Sequence, residues 1–268
     1  MIISISGKAG SGKDTVGKII QDLTKEDWQI KKYSDKLKDI VCILIGCTRE
    51  QLEDQEFKET PLGKEWTKWG IVRPSGTRVI DIQSSYEKAF ERKETVWQDG
   101  STIKEIQLTP RMILQLIGTE GGRDLIHPDI WVNALYSEYK GETLIKKEAI
   151  YDKEKKCYVI PEGHGEHSGK LIDTSLFVYR SNTPVLPNWI ITDSRFPNDV
   201  KRTREIGGIL IRVNRAECEG RENEHASETA LDDFNEWDHV IENNGTIEEL
   251  IEQVRTIFKE EGIIKKKE

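Results

Sequence analysis

At 268 residues, with 33% of them charged and a formal net charge of -8, the chain can bury a substantial core and is too acidic for broad affinity to nucleic acid or acidic membranes. A mean hydropathy of -0.60 and the lack of any apolar run of membrane-spanning length predict a soluble protein without a membrane partner. The four cysteines, Cys42, Cys47, Cys157 and Cys218, show no CxxC or Cys/His ligand spacing and read as thiols in a reducing cytoplasm. The apolar part of MIISISGKAG is too short for a signal peptide, so the cytoplasm is the expected location.

Residues 2–6 form a short β-branched run that ends abruptly in glycine, which predicts a buried strand. A helix over 14–23 follows, with Val16, Ile19, Ile20 and Leu23 at helical spacing. A second strand is expected over 29–34, then an amphipathic helix over 35–46 whose apolar face is Leu37, Ile40, Val41, Leu44 and Ile45. Between about 72 and 107 the texture changes. TRVIDIQ and TVWQDGSTIKEI predict strands, with a tight turn at Asp99-Gly100. Thr109-Pro110 starts a helix carrying Met112, Ile113, Leu116 and Ile117 on one side, and a second helix spans 130–139.

Over 141–186 the chain is again irregular, with KKEAIYDKEKKCYVI resembling a hairpin around Asp152-Lys153. NWIIT, at 188–192, predicts a buried strand ending at Asp193. A helix over 198–206 and strands over 209–213 and 238–242 follow; Thr246, with Glu249 completing a capping box, starts a final helix to about Phe258. Residues 265–267 read as a solvated tail. Strands separated by helices imply an α/β fold in three layers, with a mostly parallel central sheet and helices on both faces. The stretches 72–107 and 141–186 read as inserted hairpin segments decorating that core.

The stretch GKAGSGKDT, residues 7–15, joins the first strand to the first helix. Gly7, Gly12 and Lys13 satisfy G-x-x-x-x-G-K in the strand–loop–helix context that the motif demands. Such a loop turns backbone N–H groups inward as an anion nest, and the helix N-terminus adds its dipole. This predicts a nucleotide-phosphate site built from Gly7, Gly10, Ser11, Gly12, Lys13, Asp14 and Thr15. Asp14 stands where Ser or Thr usually offers a hydroxyl to magnesium; a carboxylate there suits the helix start, and Thr15 supplies a hydroxyl one residue later. Adenylate kinases share that displacement of the hydroxyl.

Three further segments suit phosphate chemistry, the first being YSDKLKDI, residues 33–40, followed by a helix and then LEDQEFKETPLG. Arg111, Gln115 and Thr119 (or Gly118) fall on one helical stripe at i, i+4, i+8, with Arg123 one turn beyond. A stripe of Arg, Gln and a hydroxyl can hold a monophosphate and a base edge. Asp193, at the end of its strand, can hold Mg²⁺ or its waters beside the loop, with Arg195 two residues on.

SGKAGSGKDT, YSDKLK, LQLIGTEGGRDLIHPDIWV, TDSRFPNDV with GGILIRVNR, and HASETALD followed by DHVIENNGTIEEL together resemble the bacteriophage-type deoxynucleoside monophosphate kinases. The resemblance implies a P-loop NTPase-type kinase domain that moves the γ-phosphoryl of ATP, with Mg²⁺, onto a deoxynucleoside 5′-monophosphate (dNMP). Its core would occupy about 1–71, 108–140, 187–213 and 233–262, with a lid over about 214–232. It implies that residues 7–15 cradle the ATP phosphates and that Lys13 bridges donor and acceptor. Lys36, Arg111, Gln115, Thr119 and Arg123 would hold the dNMP. Asp14, Thr15 and Asp193 are the metal candidates, directly or through water, and Arg195 would offset developing charge. Arg215, Arg221 and His225 are candidate lid contacts. The related kinases make a homodimer the guess for oligomeric state and a phage's host cytoplasm the location. The residues leave rivals open: a kinase for another small phosphorylated acceptor such as phosphomevalonate or dephospho-coenzyme A, or a nucleotide-binding sensor without transfer. The LQLIGTEGGR block favours dNMP.

Overall fold

The computed structural model describes residues 1–24, 28–72, 78–79, 102–148, 150–152, 157–159, 169–173, 176–218 and 226–264. In chain order the elements begin with β1 (Ile2–Ser6), α1 (Lys13–Thr24), β2 (Trp28–Lys31), α2 (Asp35–Ile45), α3 (Arg49–Glu53) and α4 (Gln55–Glu59). Next come β3 (Thr67–Val72), β4 (Arg78–Val79), β5 (Thr102–Gln107), α5 (Pro110–Gln115), a π-helical segment (Leu116–Ile126) and α6 (Ile130–Tyr136). The antiparallel elements β6 (Glu142–Glu148), β7 (Ile150–Asp152), β8 (Cys157–Val159), β9 (Gly169–Asp173) and β10 (Leu176–Val185) follow. The chain ends with β11 (Asn188–Ser194), α7 (Pro197–Glu205), β12 (Ile209–Asn214), α8 (Ala226–Thr229), β13 (His239–Glu242) and α9 (Ile247–Glu260). Where the sequence suggests one domain with two insertions, these residues fall into two compact units, Met1–Tyr33 with Trp131–Glu268, and Ser34–Ile130.

In the first unit β1 is buried along its whole length, Ser4 and Ser6 included, as a parallel strand covered on both faces requires. It is the central strand of a five-stranded sheet of order β13-β12-β1-β11-β2, parallel at every pairing. The chain leaves β1 for β2 on one side, and later crosses from β11 over β1 to β12 on the other. The strand order therefore reverses at β1. Alternation along the strands sends Ile3, Ile5, Ile190, Ile211, Val213 and Ile241 to the face covered by Val16, Ile19 and Ile20 of α1 and Leu250, Val254 and Phe258 of α9. Leu210 points the opposite way, against Val200 of α7 and Leu231. Helices thus cover both faces of a mostly parallel central sheet, the α/β fold that the sequence predicts.

Local signals hold at several helix starts. Thr246 accepts a hydrogen bond from the Glu249 N–H while Glu249 answers at the Thr246 N–H, and Thr109 caps α5 with Pro110 in its first turn. The hairpin expected around Asp152 forms between β7 and β8, with Asp152 opposite Cys157. β10 pairs antiparallel with both β6 and β9. The Asp99-Gly100 turn, Lys153 and the 265–267 tail lie outside the described residues.

In the second unit β3 pairs antiparallel with β4 and β5, and a small core joins Val41, Leu52, Leu108 and Ile113. Two expectations need correction. The face of α2 that packs on this core is Leu37, Val41, Cys42 and Ile45, whereas Ile40 and Leu44 are exposed. The helix begun by Thr109 does not stay α-helical: from Leu116 its turns widen to π geometry, closing with the His127 N–H on the Gly122 carbonyl five residues back.

One glycine sets how closely α1 lies on the sheet. A Cβ on Gly17 would stand 2.7 Å from Thr192 Cγ2, with Ile190 and Ile30 methyls just beyond. Gly17→Ala is expected to lower unfolding free energy by about 1–3 kcal/mol through overpacking, despite alanine's better helix propensity. Equilibrium urea unfolding measures this; a stabilised variant would show that the helix can move off the sheet freely.

Candidate active site

The glycine loop leaves β1 at the carboxyl edge of the sheet, where the strand order reverses and open α/β sheets bind ligands. Gly10 (φ 85°) and Gly12 (φ 99°) hold backbone conformations that side chains disfavour. Crowding reinforces this: a Cβ on Gly12 would lie 2.4 Å from Asn243 Nδ2, and one on Gly7 would lie 2.3 Å from the Val213 carbonyl oxygen. Ser11 Oγ is buried in the loop without a hydrogen-bond partner among the described residues. A loop backbone with no room for a Cβ at Gly7 or Gly12, and with an unspent hydroxyl on Ser11, fits a phosphate group.

Lys13 is buried and folds back on the loop. Its Nζ donates to the carbonyls of Gly7 and Lys8, each at 2.6 Å. Burial and the nearby Arg195 charge push its pKa down to about 8; Asp14 and Asp193 oppose that shift and Arg212 adds to it. The loop lysine therefore sits among Asp14, Asp193, Arg195 and Arg212.

Asp14 has a definite occupation. Its Oδ1 accepts from Thr192 Oγ1 at 2.7 Å and pairs with Lys32 Nζ at 2.8 Å. Burial acts to raise its pKa, but the Lys32 and Thr192 bonds and the Lys13 charge outweigh it and hold the carboxyl below the usual range. Asp14 thereby fastens the first turn of α1 to β11 and to the residue after β2. Thr15 is exposed on the same turn. Asp193, at the end of β11, accepts from the Tyr33 N–H at 2.8 Å and so holds the chain leaving β2. Buried Asp199 accepts from the Arg195 and Phe196 N–H groups at 2.9 and 3.0 Å, which fixes the backbone that carries Arg195. The Arg195 guanidinium pairs with Glu228.

Of the expected lid residues, Arg215 follows β12 and pairs with Glu217 at 2.7 Å, while Arg221 and His225 lie outside the described residues. The acceptor candidates Lys36, Arg111, Gln115, Thr119 and Arg123 all belong to the second unit. Lys36 is exposed in the first turn of α2. Arg111 is engaged with α4, pairing with Glu59 and donating to Gln55 Oε1 at 2.8 Å. Its expected stripe with Gln115 and Thr119 is interrupted, because the π turns begin at Leu116 and shift Thr119 off the i+4 line. Arg123, on the π-helical segment, donates to the Pro128 carbonyl at 3.3 Å. Gly118 lets that segment approach α2, since a Cβ there would meet Leu37 Cδ2 at 3.0 Å.

Two residues beside the loop, Arg212 and Asn243, lie in the segments GGILIRVNR and DHVIENNGTIEEL, but the sequence assigns neither a role. Arg212 donates to Ser6 Oγ at 3.3 Å, lies 3.5 Å from Asp232 and sits over the Trp237 ring. Asn243, just past β13, donates to the Ser11 carbonyl at 2.8 Å and braces the loop from behind. Their sequence signals are weak but physical: a lone charge in the apolar run ILIRV, and amides at the carboxyl end of the VIE strand. Among the described residues, no group of three or more His, Cys, Asp or Glu side chains is arranged to hold a metal.

A parallel α/β sheet with a lysine-bearing glycine loop at its point of reversal is consistent with the P-loop kinase fold. The family model described as deoxynucleotide monophosphate kinase matches residues 170–254, the part that carries Asp193, Arg195, Arg212, Glu228 and Asn243. The chain is 30% identical over 157 residues to the deoxynucleoside-5'-monophosphate kinase of Escherichia phage T5, a match spanning 49% of this chain and 60% of that protein. It is also 37% identical over 65 residues to a putative deoxynucleotide monophosphate kinase of Acanthamoeba polyphaga mimivirus, spanning 24% of this chain and 33% of the relative. The resemblance to phage-type kinases read from the motifs is thus met by independent similarity.

The Lys13 shift has a consequence for stability. An unfolded lysine titrates near about 10.4, so below the folded value of about 8 both states are protonated and the burial penalty is fully present. Between those values only the unfolded chain holds the proton, and the free energy of unfolding rises with pH. Against Lys13→Met, the wild type is expected to gain up to about 3 kcal/mol over this window, followed by urea unfolding at a series of pH values. Parallel curves for the two proteins would refute a depressed Lys13.

Proposed function

We propose that the protein is a deoxynucleoside monophosphate kinase that transfers the γ-phosphoryl of ATP to a dNMP, giving dNDP and ADP. The observation that carries this reading is Lys13, folded onto a loop that only glycines can form, with Arg195 and Arg212 close enough to depress its pKa. That is a concentration of positive charge and N–H groups suited to several phosphates. The similarity to the phage and mimivirus proteins, named as deoxynucleotide monophosphate kinases, supports a dNMP as the acceptor.

In this reading the loop N–H groups bind the ATP phosphates, and Lys13 leaves the Gly7 and Lys8 carbonyls to bridge donor and acceptor. Arg195, its backbone held by Asp199, offsets charge that develops on the transferring group. Lys36, Arg111, Gln115 and Arg123 hold the dNMP; Arg111 must exchange its carboxylate partner Glu59 for the acceptor. The Thr15 hydroxyl and the Asp193 carboxylate would hold Mg²⁺, directly or through water, and the ion would supply charge compensation at the phosphates. Asp14, committed to Lys32 and Thr192, keeps α1 in place beneath them. Catalysis is positioning and electrostatics, with no covalent intermediate on the protein. No helix among the described residues is long and apolar enough to cross a membrane, which suits a cytoplasmic enzyme of nucleotide biosynthesis.

A coupled ADP-release assay across dTMP, dGMP, dCMP, dAMP and their ribo-forms tests the reading. ADP release with at least one dNMP is expected, and Lys13→Ala and Arg123→Ala should each lower kcat/KM at least about a hundredfold. Tight ATP binding without release from any acceptor would sink the kinase reading, and wild-type kinetics for Arg123→Ala would remove that residue from the site.

A further inference from the structure

The loop already holds an anion, and it comes from the chain itself. Glu228, in α8, accepts a hydrogen bond from the Ala9 N–H at 2.8 Å through one carboxylate oxygen and pairs with Arg195 through the other. Its side chain is only 15% exposed. Four residues on, Asp232 accepts from the buried Lys8 Nζ at 2.9 Å and lies 3.5 Å from Arg212. Two carboxylates from one short acidic stretch therefore engage a loop N–H, a loop lysine and both arginines beside the loop.

A carboxylate presents two acceptor oxygens in the plane that suits N–H and guanidinium donors, as one edge of a phosphate does. The Ala9 N–H and the Arg195 guanidinium cannot satisfy Glu228 and a phosphate in the same place. A carboxylate left within a few ångströms of an incoming polyphosphate would also repel it strongly in so shielded a site. We propose that Glu228 is an internal phosphate surrogate. It closes the loop while nucleotide is absent and must be displaced by the phosphates of ATP, with Asp232 holding Lys8 in the same closed arrangement.

Two effects follow from this exchange of partners. The apparent affinity for ATP is lowered by the fraction of molecules that are latched. Binding also frees α8 and Asp232, so occupancy of the loop is signalled to residues 226–232. The inference rests on the reading of the loop as the ATP site and goes beyond it in naming what ATP competes with.

Isothermal titration of ATP into the full chain, with EDTA and separately with Mg²⁺, tests both. Glu228→Gln keeps the shape and removes the charge; Glu205→Gln, an exposed acid in α7, controls for net charge. The expected result in EDTA is ATP binding tighter by about tenfold or more for Glu228→Gln and unchanged for Glu205→Gln. In the wild type, amide hydrogen exchange over 226–232 should quicken when ATP is added, a readout that needs no variant. If Glu228→Gln binds ATP no more tightly and only melts at a lower temperature, Glu228 is a structural tether and the latch is overturned. Weaker binding confined to Mg²⁺ would overturn it in favour of a metal-holding carboxylate. If neither wild type nor variant binds ATP under any condition, the loop reading falls first and the latch with it.

Discussion

The ammonium group of Lys13 is buried against carbonyl oxygens of its own loop, and that contact depends on where β1 ends. Because β1 is the central strand, its last residue emerges between β11 and β12, at the edge where helices leave room. The glycines let the backbone double back there, so that the Gly7 and Lys8 carbonyls come within reach of Nζ. A buried ammonium whose hydrogen bonds among the described residues go to neutral carbonyls loses much of its hydration, which the nearby Asp14 and Asp193 charges only partly offset. Its lowered pKa expresses that condition, and a polyanion would relieve it.

The surroundings of the loop share one arrangement: groups that could bind phosphate are kept in place by other protein groups. Asp199 fixes the backbone of Arg195, Asn243 braces Ser11, and Asp14 ties the first turn of α1 to Thr192 and Lys32. Each brace uses a short polar side chain at the end of a strand or the start of a helix. Donors held this way need little reorganisation when a charged ligand arrives, which is where electrostatic catalysis draws its strength. Glu228 and Asp232 differ in kind, since they cover the donors instead of orienting them.

In the second unit the same economy takes a different form. The LIGTEGG stretch can widen into π turns because its glycines tolerate close neighbours, Leu37 at Gly118 and the Leu116 carbonyl at Gly121. π geometry inside a helix is uncommon and tends to accompany function, since it turns side chains off the regular helical line. Arg123 owes its placement to that departure.

The succession of strands and helices in the central sheet, the glycine loop and the Thr246 capping box were legible in the sequence alone, because each is signalled by residues near one another in the chain. The pairing of the strands, Ile2 with Trp189 for one, is not local. A β-branched run followed by glycine, a G-x-x-x-x-G-K spacing and a Thr-x-x-Glu cap state their physics locally. Tertiary structure alone supplied the partners of Asp14, Lys32 just beyond the next strand and the distant Thr192, and the company of Lys13. It also broke the Arg111–Gln115–Thr119 stripe, since periodicity read from sequence assumes 3.6 residues per turn throughout. Arg212, Asn243, Glu228 and Asp232 lie within GGILIRVNR, DHVIENNGTIEEL and HASETALD, but nothing local in those segments states what each side chain contacts. Sheet order, set by burial of whole strands, gathers them at one edge around a loop some 200 residues earlier in the chain.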